Sequence, residues 1–81
     1  MLIRIKLFAI VKERAGVAEA ALELADGSDV AAAEAALTDM FPAIGGLLRH
    51  AAYAVNREYV NAATVLHNGD ELAVIPPVSG G

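Results

Sequence analysis

The N-terminal part of the chain alternates between apolar and polar side chains in two short runs. Residues 3–7 place Ile, Ile and Leu at every second position with Arg and Lys between them, and residues 22–24 repeat the pattern around a glutamate. A period of two is typical of a half-buried strand, so both runs predict β-strands. Residues 10–15 predict a short helix that Gly16 ends, because glycine readily adopts the left-handed conformation that closes helices. Phe8 breaks the alternation and falls on the basic face of the first strand.

One long helix is predicted in the middle of the chain. Its apolar residues recur at helical spacing, at Val30, Ala33, Leu37, Met40 and Phe41. Ser28 or Asp29 supplies an oxygen that caps the first turn, and Pro42 ends the helix because the residue before a proline disfavours helical geometry. Residues 43–50 are ambiguous between a helical turn and a packed loop, since Gly45-Gly46 interrupts a helix while the neighbouring aliphatic side chains need burial.

The C-terminal part predicts three further strands. Residues 52–56 and 59–60 are apolar runs joined by a tight turn at Arg57-Glu58, and the Asn-Gly-Asp sequence at residues 68–70 predicts a turn before a last strand at residues 71–75. Pro76 ends that strand because it has no amide hydrogen for further pairing.

The order ββαβββ predicts an α+β domain over residues 1–75, a mixed sheet of four to five strands packed on one main helix. The β-grasp arrangement fits this order. In it the first and last strands lie side by side and parallel at the centre of the sheet. Residues 76–81 are expected to form a flexible tail ending in Gly-Gly, which reaches at most about 20 Å when fully extended.

Composition and charge narrow the classes of function. Eighty-one residues without a cysteine make one domain with no disulfide, thiolate metal site or cysteine nucleophile. A net charge of −4 disfavours nucleic-acid binding, which depends on basic residues. No run approaches the length of a membrane span or the apolar run of a signal peptide, so we expect a cytoplasmic protein that binds neither membrane nor nucleic acid. His50 and His67 lack ligands at metal spacing and are interpreted as surface or loop residues.

The last eight residues, VIPPVSGG, suggest a chemical role for the end of the chain. A terminal carboxylate has an ordinary pKa near 3.5 and is a poor electrophile at pH 7, so it must be activated before it can transfer an acyl group. Joining it to AMP creates a leaving group that a sulfur nucleophile can displace. Gly80 and Gly81 lack Cβ atoms, which allows the backbone of a partner to close around the acyl group.

The C-terminal half, read together, resembles the MoaD family, the ubiquitin-like small subunits of molybdopterin synthase. The likeness rests on AVNREYV at residues 54–60, on Leu66 and on NGDELAVIPPVSGG at residues 68–81. LFA at residues 7–9 and KERAG at residues 12–16 extend it over nearly the whole chain.

The resemblance implies a β-grasp fold and a sulfur-carrier function in molybdenum cofactor biosynthesis. A MoeB-like enzyme would adenylate the terminal glycine with ATP, and a sulfur donor protein would convert it by a persulfide to a thiocarboxylate. A MoaE-like large subunit would then use that sulfur on cyclic pyranopterin monophosphate. Two small and two large subunits would form a heterotetramer.

By this resemblance Gly81 is the residue that carries the adenylate and the thiocarboxylate. Gly80, Ser79, Val78 and Pro77 would form the tail that both partners recognise. Phe8 and Ile75 are bulky and lie near strand ends on faces that alternation makes exposed, so they are candidate docking residues. The alternative for this pair is that a loop or the short first helix covers them.

The chain contains no phosphate-binding Gly-Lys-Ser/Thr loop and no set of nucleophile and base. We therefore expect it to bind no cofactor, to leave ATP to the activating enzyme and not to be an enzyme on its own. Two alternatives stay open. One is a sulfur carrier for thiamin, tRNA thiolation or cysteine synthesis, against which residues 76–79 favour the molybdopterin family. The other is a noncatalytic β-grasp interaction module with incidental glycines.

Overall fold

A computed structural model describes residues 1–77 of the chain, and within them five strands form one sheet. The strands are β1 (Leu2–Leu7), β2 (Glu19–Glu23), β3 (Ala52–Val55), β4 (Glu58–Val60) and β5 (Glu71–Ile75). The helices are α1 (Ala9–Ala15), α2 (Val30–Met40) and α3 (Gly45–Leu48), and a 3-10 turn, Pro42–Ile44, precedes α3.

The strands lie in the order β2-β1-β5-β3-β4. β1 and β5 are parallel at the centre, in a register that runs from Arg4 opposite Glu71 to Leu7 opposite Val74. The three other pairings are antiparallel. This topology confirms the predicted β-grasp fold, including the parallel pairing of the first and last strands that local sequence pattern alone does not establish.

The hydrophobic core lies between one face of the sheet and the helices. The side chains of Ile3, Ile5 and Leu7 on β1 are at most 2 % exposed, and Leu72 and Val74 on β5 are fully buried beside them. Helix α2 covers these strands with its own fully buried residues, Val30, Ala33 and Leu37. Each large aliphatic side chain buried in this way stabilises the fold by about 1.5–3 kcal/mol.

Of the two candidate capping residues, Asp29 is the one that caps helix α2. The Asp29 Oδ1 atom accepts a hydrogen bond of 2.9 Å from the Ala32 amide, which satisfies one of the free amides of the first turn. The helix ends at Met40, immediately before Phe41 and Pro42. At α1, Gly16 adopts φ 81 and its amide donates to the carbonyl of Lys12, which confirms the predicted helix end.

A tyrosine joins the sheet to α2. The side chain of Tyr53 on β3 is on the core side of the sheet, and its hydroxyl donates a hydrogen bond of 2.8 Å to Glu34 Oε1. Burial raises the pKa of Tyr53, and the bond to the Glu34 carboxylate raises it further. The phenol therefore stays protonated in the folded protein well above its ordinary range.

One local prediction needs correction, and the structure decides another that the sequence leaves open. The turn between β3 and β4 comprises Asn56 and Arg57, so the predicted turn at Arg57-Glu58 is wrong by one residue: Val55 pairs with Glu58, which leaves two residues for the turn. Residues 43–50, left open between a helical turn and a packed loop, are mostly helical: α3 follows the 3-10 turn and begins with Gly45-Gly46. A Cβ at Gly45 would lie 2.9 Å from Thr38 Cγ2, so glycine lets α3 approach α2 closely.

The predicted boundary at residue 75 coincides with the end of β5. Pro76 and Pro77 follow it outside any strand, and Pro77 is exposed. The predicted tail over residues 76–81 stays a prediction, because Val78, Ser79, Gly80 and Gly81 lie outside the described residues.

Candidate functional site

The sheet face that the helices leave open carries a transverse row of side chains across all five strands. Strand register places Glu19 opposite Lys6, Lys6 opposite Ala73, Ala73 opposite Ala54, and Ala54 opposite Tyr59. The middle of this row therefore consists of two alanines with a lysine on one side and a tyrosine on the other. Small side chains between long ones leave a depression in the surface.

This depression, which we call the open-face hollow, has a volume of about 310 Å³. It combines apolar, aromatic and charged side chains. The residues that line it are Lys6, Phe8, Ala54, Arg57, Tyr59, Glu71, Ala73 and Ile75. Aromatic and arginine side chains around an apolar floor are typical of the centres of protein interfaces.

Both predicted docking residues line the hollow, at the end of the sheet where β5 leads to the prolines. The pairing of Leu7 with Val74 places the following residues, Phe8 and Ile75, next to each other on the open face. Phe8 is 45 % exposed, so neither a loop nor α1 covers it, whereas Ile75 is partly buried. Their role in docking stays a prediction, but their position beside the exit of the chain toward Pro77 agrees with it.

The backbone after β1 holds Phe8 in this position. Phe8 is extended, with φ −128 and ψ 155, and Ala9 then takes a positive φ of 50 at the start of α1. The Phe8 carbonyl accepts hydrogen bonds from the Val11 and Lys12 amides, at 3.1 and 3.3 Å. The strand thus turns away sharply into α1 and leaves the phenyl ring on the open face.

An ion pair forms the polar wall of the hollow. Lys6 Nζ lies 3.0 Å from Glu71 Oε1, between neighbouring strands. The hydrogen bond from Lys6 lowers the pKa of the Glu71 carboxyl below its ordinary value, and the charges of Arg4 and Arg57 act in the same direction. Glu71 is therefore ionised at neutral pH and neutralises Lys6.

Six residues line the hollow that the sequence analysis does not select as docking residues: Lys6, Ala54, Arg57, Tyr59, Glu71 and Ala73. Alternation along β5 provided a signal for Ala73, because it lies two residues from Ile75 and so shares its face. Ala54 and Tyr59 become neighbours only through the pairing of β3 with β5 and β4. A local pattern does not contain that register.

The described part of the chain contains no cluster of three or more His, Cys, Asp or Glu side chains that would bind a metal ion. His67 Nδ1 lies 3.9 Å from Asp70 Oδ2 in an exposed turn, a pair with little energetic weight. Residues 1–77 also contain no helix that is long and apolar enough to cross a membrane.

Fold and site together define a ubiquitin-like β-grasp protein with an open hollow beside the end of its last strand. A model of the ThiS family matches residues 5–81, and the chain belongs to this family. It is 39 % identical over 83 residues to the molybdopterin synthase sulfur carrier subunit of Chlamydomonas reinhardtii, with all of both chains covered.

Two solved structures extend these similarities to the fold. SAMP1 from Haloferax volcanii superposes with a TM-score of 0.92 at 30 % identity and covers 100 % of both chains. The second is a chain of the protein-protein complex of subunits 1 and 2 of the molybdopterin-converting factor from Helicobacter pylori. It superposes with a TM-score of 0.75 at 26 % identity, again over 100 % of both chains. In that relative the fold occurs within a two-subunit assembly.

Proposed function

We propose that this chain is the sulfur-carrier subunit of a molybdopterin synthase and that the carboxylate of Gly81 carries the sulfur. The observation that carries the proposal is the end of the central strand pair. β1 and β5 are parallel and end at the same edge, where Ile75 lines the open-face hollow and directly precedes the two prolines in the sequence. A partner that binds the hollow is thereby next to the start of the segment that carries the reacting carboxylate. The named relatives support the same function.

The proposed chemistry has two stages on the terminal glycine. A MoeB-like enzyme binds ATP and joins AMP to the Gly81 carboxylate, with release of pyrophosphate. The terminal sulfur of a donor persulfide then attacks the acyl carbon and expels AMP, which gives an acyl disulfide with the donor. A second thiol attacks the donor sulfur of that S–S bond, so that a new disulfide forms and the thiocarboxylate leaves. In this proposal the chain itself binds no cofactor.

Transfer of the sulfur requires the large subunit. We propose that a MoaE-like subunit binds the open-face hollow, receives the tail and supplies catalysis on cyclic pyranopterin monophosphate, in a heterotetramer of two small and two large subunits in the cytoplasm. The apolar, aromatic and charged lining of the hollow supports a docking role for this face. Phe8 and Ile75 would contact the partner, and Pro77, Val78, Ser79 and Gly80 would fit its channel.

The decisive experiment removes the acyl carrier without changing the domain. The Gly81→Ala variant and a deletion of Gly81 are incubated with the activating enzyme, ATP and a sulfur donor, and intact mass spectrometry detects the replacement of oxygen by sulfur. We expect both variants to melt as the unmodified chain does and to gain no sulfur. The methyl group of Gly81→Ala, or the loss of one residue in the deletion, displaces the carboxylate from its position in the activating enzyme.

Gly46→Ala is the matched control. A Cβ at Gly46 meets no atom within 4 Å, so this substitution adds the same methyl group in open space and should leave loading unchanged. Full loading of the Gly81 deletion would reject the mechanism. Loaded chain that supports thiamin synthesis or tRNA thiolation but yields no molybdopterin with the large subunit would keep the carrier role and reject the molybdopterin assignment.

A further inference from the structure

The turn between β3 and β4 contains an arginine in a conformation that favours glycine. Asn56 has φ 49 and Arg57 has φ 72, as a two-residue turn between antiparallel strands requires. The preferred sequence for such a turn is Asn-Gly, because a Cβ in the left-handed region approaches the following carbonyl oxygen. Asparagine adopts this region more readily than arginine does, so the backbone at Arg57 is strained. The chain nevertheless has a long cationic side chain there.

The structure explains Asn56 by its contacts within the fold. Its Nδ2 donates a hydrogen bond of 3.0 Å to Asp70 Oδ1, and its Oδ1 accepts one of 3.0 Å from the Glu71 amide. These bonds attach the turn to the beginning of β5. Within residues 1–77 the Arg57 guanidinium forms no hydrogen bond and no ion pair. The charge of Arg57 lowers the pKa of Glu71, but Lys6 already pairs with that carboxylate, so a direct contact within the described residues does not account for Arg57.

The position of Arg57 provides an explanation outside the domain. Its exposed side chain lines the open-face hollow together with Phe8 and Ile75. Lys6 and Glu71 neutralise each other there, so Arg57 leaves the hollow with a net positive charge. The whole chain has a net charge of −4, which makes this a local reversal of sign at the surface proposed for docking.

We infer that Arg57 is a specificity residue of the docking surface and selects a partner protein that places a carboxylate side chain beside an apolar contact with Phe8 and Ile75. The guanidinium has a planar set of donors that matches a carboxylate, and strain stored at an exposed residue is typical of functional positions. The inference rests on the proposed function, because the partner is the large subunit that uses the hollow.

The test measures stability and binding on the same variants, since they should change in opposite directions. Arg57→Gly relieves the strain and should raise the Tm by about 2–5 °C. The same variant should bind the large subunit of molybdopterin synthase about 5–20-fold more weakly, with a smaller dependence of affinity on salt. Arg57→Glu should weaken binding further, because it places two like charges opposite each other.

Two variants separate charge from other effects. Arg57→Asn suits the left-handed conformation and keeps the turn rigid, so it should lose affinity as Arg57→Gly does. Arg49→Ala removes the same charge at the end of α3, on the helical side of the molecule, and should bind as the unmodified chain does. Affinity is measured by calorimetry at low and at physiological salt.

Three outcomes would overturn the inference. If Arg57→Gly binds as tightly as the unmodified chain at both salt concentrations, Arg57 has no role in recognition, although the proposed function stands. If Arg57→Asn keeps full affinity while Arg57→Gly loses it, rigidity of the turn and not charge is what the partner requires. If the unmodified chain fails to bind the large subunit at all, the proposed function fails and the inference fails with it.

Discussion

The two faces of the central sheet are built from different kinds of side chain. On the face toward the helices, β1 and β5 carry Ile, Leu and Val residues that are at most 2 % exposed. On the open face, the same two strands carry Arg4, Lys6, Glu71 and Ala73, with Phe8 and Ile75 at one end. Adjacent residues of one strand thus serve opposite purposes, because successive side chains point to opposite sides of a sheet.

The difference separates stability from recognition. Large aliphatic side chains buried under α2 supply most of the hydrophobic stabilisation, whereas alanines, an ion pair and exposed aromatic rings contribute little burial. In the proposed function this division means that substitutions on the open face change the affinity for a partner without unfolding the domain. The division also makes the two faces distinguishable by mutation.

Truncation on β5 should give the largest contrast between the faces. Leu72→Ala removes a fully buried side chain and leaves a cavity, so we expect a loss of about 3 kcal/mol in the free energy of unfolding. Ile75→Ala, its control on the open face, should lose about 1 kcal/mol or less because the side chain is only partly buried. Urea denaturation measures both, and equal losses would contradict the division of the faces.

Substitution at Phe8 should act mainly on recognition. Phe8→Ser removes a ring that is 45 % exposed in the hollow, and we expect the affinity for the large subunit to fall about 10-fold while the Tm changes by only a few degrees. Calorimetric titration and thermal melting, run on the same preparation, measure the two effects. A large fall in Tm with unchanged affinity would show that Phe8 belongs to the core instead.

Tyr53 sharpens the comparison because it is a polar group on the helix-covered face. Tyr53→Phe removes the bond to Glu34 and should cost about 1 kcal/mol at neutral pH. Glu34→Gln keeps an uncharged acceptor and should lose less. An unchanged stability of Tyr53→Phe at neutral pH would show that the bond contributes nothing to the fold.

The same residue predicts a dependence of stability on pH. Below about pH 10 the phenol is protonated in both the folded and the unfolded chain, so the free energy of unfolding does not change with pH through this group. Above it the unfolded chain loses the proton while the folded chain retains it, so stability falls as pH rises. Tyr53→Phe lacks this group, and its stability should fall less steeply between about pH 10 and 12. Parallel slopes for the two proteins would contradict the raised pKa.

The local sequence pattern predicted the elements that have one buried face and one exposed face. Alternation located β1, and the spacing of apolar residues with a capping aspartate located α2 within a residue of its observed bounds. The turn after β3 was placed one residue late, because Asn-Arg lacks the glycine that usually marks such a turn and the pairing of Val55 with Glu58 decides it. The sequence leaves residues 43–50 open between a helical turn and a loop, because the close approach of Gly45 to Thr38 depends on how two helices pack.

The sequence by itself determined the order of the strands around the main helix and the buried face of β1, since both follow from side-chain period. The proposed acyl carrier at Gly81 rests on the family resemblance of the sequence. Only the tertiary structure decided that Ala54, Tyr59 and Ala73 share one hollow and that Arg57 lies at its rim. The physical reason is register. Residues far apart in the chain become neighbours through backbone hydrogen bonds between strands, and these bonds carry no signature in the side chains they bring together.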